Sequence, residues 1–190
     1  MSYPNHWTVS NQVNPYHNHS LYPQMFETRP HLLPDNNMDQ RQFQVLLQSI
    51  MKGIQGEAQA IDFYTRLIKQ APNERQRDSI QHALDDEKIH LQQFSQLYTE
   101  LSGREPNYTF NPVQFRQYHE GLYKAYDSEL EAYEMYRDVY LSTTDQRVRD
   151  IFLRAFTDEI EHASRFSFMY FDLQNTPGQR QTETGPDNIN

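Results

Sequence analysis

The 190 residues carry a formal net charge of −9 with a pI near 5.3, a balance that disfavours an extended nucleic-acid surface and offers no basic run to an anionic membrane. The absence of cysteine excludes disulfides, iron–sulfur centres, cysteine nucleophiles and thiolate-ligated zinc, so redox chemistry would need another kind of centre. No apolar stretch reaches bilayer length and no positive segment leads into a hydrophobic run, so the chain reads as soluble and cytoplasmic, one domain with tails.

Residues 1–38 are rich in Asn, Pro, His and Tyr and show no periodic apolar face, which reads as a flexible polar arm. His6, His17, His19 and His31 could take a metal adventitiously there, and the arm could contact a partner. From about residue 39, Phe43, Leu47, Ile50, Ile54, Glu57, Ile61, Tyr64 and Ile68 recur at intervals of three and four, the period of one helical stripe. This first helix runs to about residue 70, and the turn at 71–74 lets Asn73 cap a second helix over about 75–101. Ile80, Leu84, Glu87, Leu91, Phe94, Tyr98 and Leu101 mark its seam.

Residues 101–112 bring Gly, Pro and Asn and no stripe. About eleven extended residues reach roughly 36 Å, against roughly 42 Å for a helix of about 28 residues. A long crossover along the bundle is therefore expected between helices two and three, with a loose turn and simple up-down order as the alternative. The third helix, about 113–142, carries Phe115, Tyr118, Leu122, Ala125, Glu129, Ala132, Tyr136 and Tyr140. The fourth, about 146–173, carries Val148, Phe152, Ala155, Glu159, His162, Phe166 and Met169. Residues 174–190 are polar and rich in helix breakers and read as a disordered tail, leaving 39–173 as the packed all-α, antiparallel four-helix domain.

The chemistry lies in a repeat. DEKIH at 86–90 returns as DEIEH at 158–162, a spacing of 72 residues, and Glu57 and Glu129 each stand 30 residues before the Glu of the following motif. Residues 56–67 also match residues 128–139, aligning Tyr64 with Tyr136. One Glu in a helix seam is readily a salt-bridge partner. Four, each midway along its own stripe, would suffer desolvation and mutual repulsion unless positive charge joined them. Two metal ions supply that charge. Glu87 with His90 and Glu159 with His162 project from single helix faces, with Glu57 and Glu129 entering from the other helices. One ion is expected on Glu57, Glu87 and His90, the other on Glu129, Glu159 and His162, with Glu87 and Glu159 bridging. Carboxylate and imidazole donors suit iron, with manganese as the alternative. Asp86 is expected to hold the outer N–H of His162, and Asp158 that of His90. Tyr64 and Tyr136 either hydrogen-bond the ligand carboxylates or serve simply as core aromatics. Gly53 and Gly56 allow close helix approach or leave a channel.

On these six residues the chain resembles the ferritin-like superfamily, and within it the rubrerythrin-type di-iron carboxylate bundles, whose pattern is a single Glu followed by Glu-x-x-His, repeated. The resemblance covers about 39–173. It implies a crossover four-helix bundle holding two iron ions that react with dioxygen or peroxide, or that oxidise iron for storage. The chain departs from rubrerythrins in having Ala132 where they place a second carboxylate, and in lacking cysteines for a rubredoxin iron. The resemblance to dimanganese catalases competes with it. The expected activity is redox chemistry on O2 or H2O2, as peroxidase or catalase-like oxidoreductase, with an external electron donor or with peroxide in both roles. Ferroxidase or iron-handling work is a second reading. A metal-stabilised structural or coat-associated module, working through its arm in a larger protein assembly, is a third. Tyr123, Tyr133 and Phe171, read as exposed-face aromatics, could form a homodimer interface.

Overall fold

The computed structural model of the protein describes residues 40–175. The arm expected at 1–38, with its four histidines, lies outside the described residues, as does the tail beyond residue 175. Four helices carry the chain: α1 (Gln40–Leu67), closed by a 3-10 turn (Ile68–Gln70), α2 (Glu74–Ser102), α3 (Tyr118–Ser142) and α4 (Gln146–Asn175). No helix among the described residues is long and apolar enough to cross a membrane.

Local chemistry sets the helix ends. Asn73 stands in extended backbone and accepts the Gln76 N–H at 2.9 Å, capping α2 as expected. Gly103 ends the same helix in the left-handed region at φ 69°, a conformation glycine takes without a Cβ clash, and its N–H returns to Thr99 O. α3 starts at Tyr118 rather than near residue 113. The reason is that side chains hold the preceding carbonyls outward: Arg66 donates to Val113 O at 2.9 Å and Lys124 to Gln114 O at 2.7 Å. Phe115 therefore packs from the loop, its ring 4.8 Å from Phe63 and with the Arg66 guanidinium 5.3 Å over it.

The 103–117 segment is a crossover. Gln55 donates to Thr109 O at 3.4 Å, Gln59 to Asn111 O at 2.7 Å and Arg66 to Val113 O, so the segment runs along α1 from its middle to its C-terminal end. α3 thus begins where α1 ends, with Gly121 against Leu67. Tyr64 meets Glu129 and Tyr136 meets Glu57, which makes α1 and α3 antiparallel. Short turns make α1 antiparallel to α2 and α3 to α4, so α2 and α3 run parallel. The bundle with a long crossover expected from the sequence is the one observed.

Two apolar layers fill the bundle. Ile50, Ile54, Phe94, Tyr136 and Phe152 belong to one, and Tyr64, Leu67, Ile80, Leu122 and Phe166 to the other. Each fully buried phenylalanine contributes about 1.5–3 kcal/mol. The buried face of α1 is broader than the single stripe read from the sequence: Leu46, Gly53, Phe63 and Leu67 are buried, whereas Phe43, Leu47, Ile61 and Ile68 are half-buried. A helix between two neighbours buries two adjoining stripes. Tyr133 is half-buried against Phe156, with Arg137 over its ring, and so is not an exposed-face aromatic; Tyr123 and Phe171 are exposed.

Candidate metal centre

Between the apolar layers lies a charged one. On each helix the apolar seam is interrupted at the same height: Glu57 on α1, Glu87 and His90 on α2, Glu129 on α3, Glu159 and His162 on α4, none more than 3% exposed. The Glu-x-x-His spacing turns both side chains of α2 and of α4 into the bundle. His90 Nδ1 lies 3.2 Å from Glu87 Oε2 and 3.3 Å from Glu159 Oε1. His162 Nδ1 lies 3.2 Å from Glu159 Oε2, 3.3 Å from Glu87 Oε1 and 3.8 Å from Glu129 Oε2. The residues form two groups able to hold a metal ion, one of Glu57, Glu87, His90 and Glu159 and one of Glu87, Glu129, Glu159 and His162, with the donor atoms of each within 4.8 Å of one another. Glu87 and Glu159 belong to both.

The outer edges of the imidazoles are held across the bundle. His90 Nε2 lies 3.0 Å from Asp158 Oδ2, and His162 Nε2 lies 3.3 Å from Asp86 Oδ2. Tyr136 donates its hydroxyl to Glu57 Oε1 at 2.5 Å, and Tyr64 donates to Glu129 Oε1. Each tyrosine thus serves the carboxylate of the other repeat. Gly53 lets Phe94 and Tyr136 close in, since a Cβ there would stand 3.0 Å from the Phe94 ring; Gly56 is less confined, 3.6 Å from the Tyr136 hydroxyl.

Residues 48–170 match the family model for rubrerythrin. The chain belongs to the rubrerythrin family. It is 32% identical over 131 residues to YhjR of Bacillus subtilis (strain 168), an alignment covering 67% of this chain and 88% of that protein. A hypothetical protein from Pyrococcus furiosus has the same fold, with a TM-score of 0.62, 20% identity, and 68% of this chain and 90% of that one covered. Nigerythrin in its fully reduced, all-ferrous state also shares the fold, with a TM-score of 0.61, 19% identity, and 90% and 83% covered.

Membership of the rubrerythrin family implies a di-metal carboxylate centre, and the donor chemistry here fits one. Asp86 and Asp158 accept, so each neutral imidazole carries its proton on Nε2 and turns the Nδ1 lone pair toward carboxylate oxygens. Lone pairs facing anionic oxygens at this distance repel unless a proton or a cation lies between. Glu87 Oε1 and Glu159 Oε1 are buried and carry no hydrogen bond, an expensive state for a carboxylate without a cation. Donor atoms sharing an ion at about 2.1 Å lie roughly 3.0–3.4 Å apart at octahedral to tetrahedral angles, matching the spacing of this rubrerythrin layer.

Without metal, protons compensate. Burial, then the charges of Glu87 and Glu159, pushes Glu57 and Glu129 well above the usual carboxylate range. Burial acts in the same direction on Glu87 and Glu159, aided for Glu159 by the Glu87 charge, but the neighbouring His162 and His90 imidazoles outweigh it and hold both low. Burial also disfavours charged imidazoles. The carboxylates of Asp158, Glu159 and Glu87, as acceptors beside the ring, nevertheless raise His90 well above its ordinary value, and those of Asp86, Glu129 and Glu159 raise His162. Burial and the neighbouring Glu charges push Tyr64 and Tyr136 well up, keeping them as phenol donors.

All six residues read from the sequence as metal ligands come together in this layer, with both Asp and both Tyr around it. Sequence reasoning missed His82 and Arg154. His82 Nε2 lies 3.3 Å from Asp86 Oδ2, and Arg154 Nε lies 3.6 Å from Asp158 Oδ2. Both stand one turn before their Asp and 72 residues apart. The repeat alignment contained that signal, but neither residue is on an apolar stripe.

Proposed function

We propose that this rubrerythrin-family protein binds two iron ions between Glu57, Glu87, His90, Glu129, Glu159 and His162 and carries out redox chemistry on peroxide or dioxygen. The observation that carries the reading is the pair of orphaned carboxylate oxygens, Glu87 Oε1 and Glu159 Oε1, facing inward-turned His Nδ1 atoms in a sealed layer. Glu57, Glu87 and His90 would hold one ion and Glu129, Glu159 and His162 the other, with Glu87 and Glu159 belonging to both donor groups. Oxygen and nitrogen donors suit iron or manganese, and the all-ferrous nigerythrin state supports iron. A bound redox-active pair would supply the electron-transfer chemistry needed to reduce an oxygen–oxygen bond.

The chain's own residues do the rest. Asp158 and Asp86 fix the tautomers of His90 and His162 and raise their basicity as donors. Tyr136 and Tyr64 hold Glu57 and Glu129 by one oxygen each, which orients the other toward the ions. The apolar layers on either side exclude bulk water. With no cysteine in the sequence, electrons come from an external donor or from a second peroxide.

Anaerobic reconstitution with Fe(II) and with Mn(II), followed by metal counting and assay with O2 and H2O2, tests the proposal. Two ions per chain and peroxide turnover support it. Rapid Fe(II)-dependent oxygen uptake with little peroxide turnover would make the reaction ferroxidation instead. Glu87→Ala should abolish binding of the pair; unchanged metal content in that variant would overturn the ligand assignment.

A further inference from the structure

The two halves of the centre are alike inside and different outside. At the α2 edge, His82 Nε2 lies 3.3 Å from Asp86 Oδ2 and 3.5 Å from Glu161 Oε1 of α4. At the corresponding places of the other half the repeat puts Arg154 for His82 and Ile89 for Glu161. One flank of the bundle therefore offers an imidazole and two carboxylates, and the other a guanidinium, the single carboxylate of Asp158 and an aliphatic side chain. Donors share a cation at about 2.1 Å when they lie roughly 3.0–3.4 Å apart, close to the spacing at His82. His82, Asp86 and His162 also form a group of donor atoms within 4.8 Å.

The cluster spans the wall of the bundle. Glu161 is half exposed at its side chain, His82 is 25% exposed and Asp86 is 9% exposed. Beyond Asp86, His162 reaches the buried carboxylates through its Nδ1. Glu161 lines a surface cavity of about 800 Å3 between the start of α2 and the C-terminal half of α4. Arg165 donates to Glu161 Oε1 at 2.5 and 2.8 Å, and a carboxylate with two oxygens and about four lone-pair sites can serve Arg165 and a cation together.

We propose that His82, Asp86 and Glu161 form an outer site for a hydrated divalent cation, through which metal reaches the buried centre from the α2–α4 flank alone. The ion sheds water in steps, exchanging it first for Glu161 and His82 and then for the oxygens around His162. The inference deepens the di-metal reading and rests on it for the ion's destination. On the opposite flank Arg154 stands 3.6 Å from the single carboxylate, Asp158, and offsets its charge, while Ile89 supplies no ligand in the place of Glu161.

Uptake of Mn(II) by the metal-free full-length protein, followed by loss of the free Mn(II) resonance signal, tests the site with His82→Gln and Glu161→Gln. His82→Gln retains a hydrogen-bond donor for Asp86. Wild type should take up two tight ions and one weaker one. Both variants should lose the weaker ion and fill the tight pair about tenfold more slowly, as expected from losing a local concentrating charge and ligand, while reaching the same final occupancy. That unchanged occupancy separates a loading site from a mere prop for Asp86. Variants that keep the third ion, or that load at the wild-type rate, would overturn the proposal. Should wild type take up no tight pair, the di-metal reading fails, and the outer site then stands or falls on whether His82→Gln removes the weaker ion.

Discussion

His90 Nε2 lies 3.0 Å from Asp158 Oδ2, a contact between a histidine of α2 and the residue preceding Glu159 on α4. Asp86 and His162 make the reciprocal contact at 3.3 Å. Each half of the centre is therefore oriented by the other half's motif. Removing such a support costs about 10–100-fold in metal affinity, so Asp158→Ala should weaken one ion by that factor and leave the second nearly unaffected. Chelator competition on the reconstituted protein measures it. Equal weakening of both ions would mean that the bridging carboxylates, Glu87 and Glu159, transmit the loss.

Tyr64 and Tyr136 are at most 1% exposed and donate to Glu129 and Glu57. Phenylalanine keeps the ring and removes the donor, leaving a buried carboxyl oxygen short of a partner. Each substitution, Tyr64→Phe or Tyr136→Phe, should destabilise the metal-free protein by about 1–3 kcal/mol. Urea unfolding of the chelated variants tests this, and the loss should shrink when metal is bound to the same carboxylates. Full stability in the chelated variants would show that the rings alone matter.

Glycines at the helix contacts differ in what they permit. A Cβ on Gly56 would stand 3.6 Å from the Tyr136 hydroxyl, ordinary contact, so Gly56→Ala should stabilise α1 by up to about 1 kcal/mol. A Cβ on Gly53 would stand 3.0 Å from the Phe94 ring, itself stacked 4.7 Å from Phe152. Gly121 faces the fully buried Leu67 even more closely. Gly53→Ala and Gly121→Ala should therefore lower stability, by about 1–3 kcal/mol for overpacking less the helix-propensity gain. Thermal unfolding of the three variants gives the order.

The helices, their pairing and the charged layer were legible because burial leaves a period in the sequence. Glu57, Glu87, Glu129 and Glu159 are conspicuous as interruptions of apolar stripes, and the 72-residue repeat picks out Glu129 from its neighbours Glu131 and Glu134. The start of α3 was not legible: Phe115 continues the apolar spacing, but Arg66 and Lys124 hold the backbone out of the helix from distant positions. The full width of the α1 seam was hidden for a related reason, since Phe63 and Leu67 lie on a second stripe that only the neighbouring helices define. His82 and Arg154 lie off the apolar stripes altogether. What placed them was a contact with an Asp one turn later, which composition and periodicity do not record.

The pH dependence of the metal-free protein follows from which groups hold protons in the charged layer. Glu57, Glu129, His90 and His162 are all raised above their ordinary values in the folded chain. A raised group contributes stability that is fully present below its unfolded pKa, about 4.3 for Glu and about 6.5 for His, and that is lost as pH rises through the folded value. Glu87 and Glu159 are lowered and act oppositely, their contribution being present above about pH 4.3 and lost as pH falls through the folded value. On the alkaline side of about pH 6.5 only the raised groups are still changing, so the chelated protein should lose thermal stability steadily between about pH 6.5 and pH 9. Bound metal takes the place of those protons. The loaded protein should therefore hold its Tm over the same range, and its metal affinity should rise with pH. Thermal unfolding of chelated and reconstituted samples across the range decides it. A chelated protein as stable at pH 9 as at pH 6.5 would show that the imidazoles are already neutral in the fold.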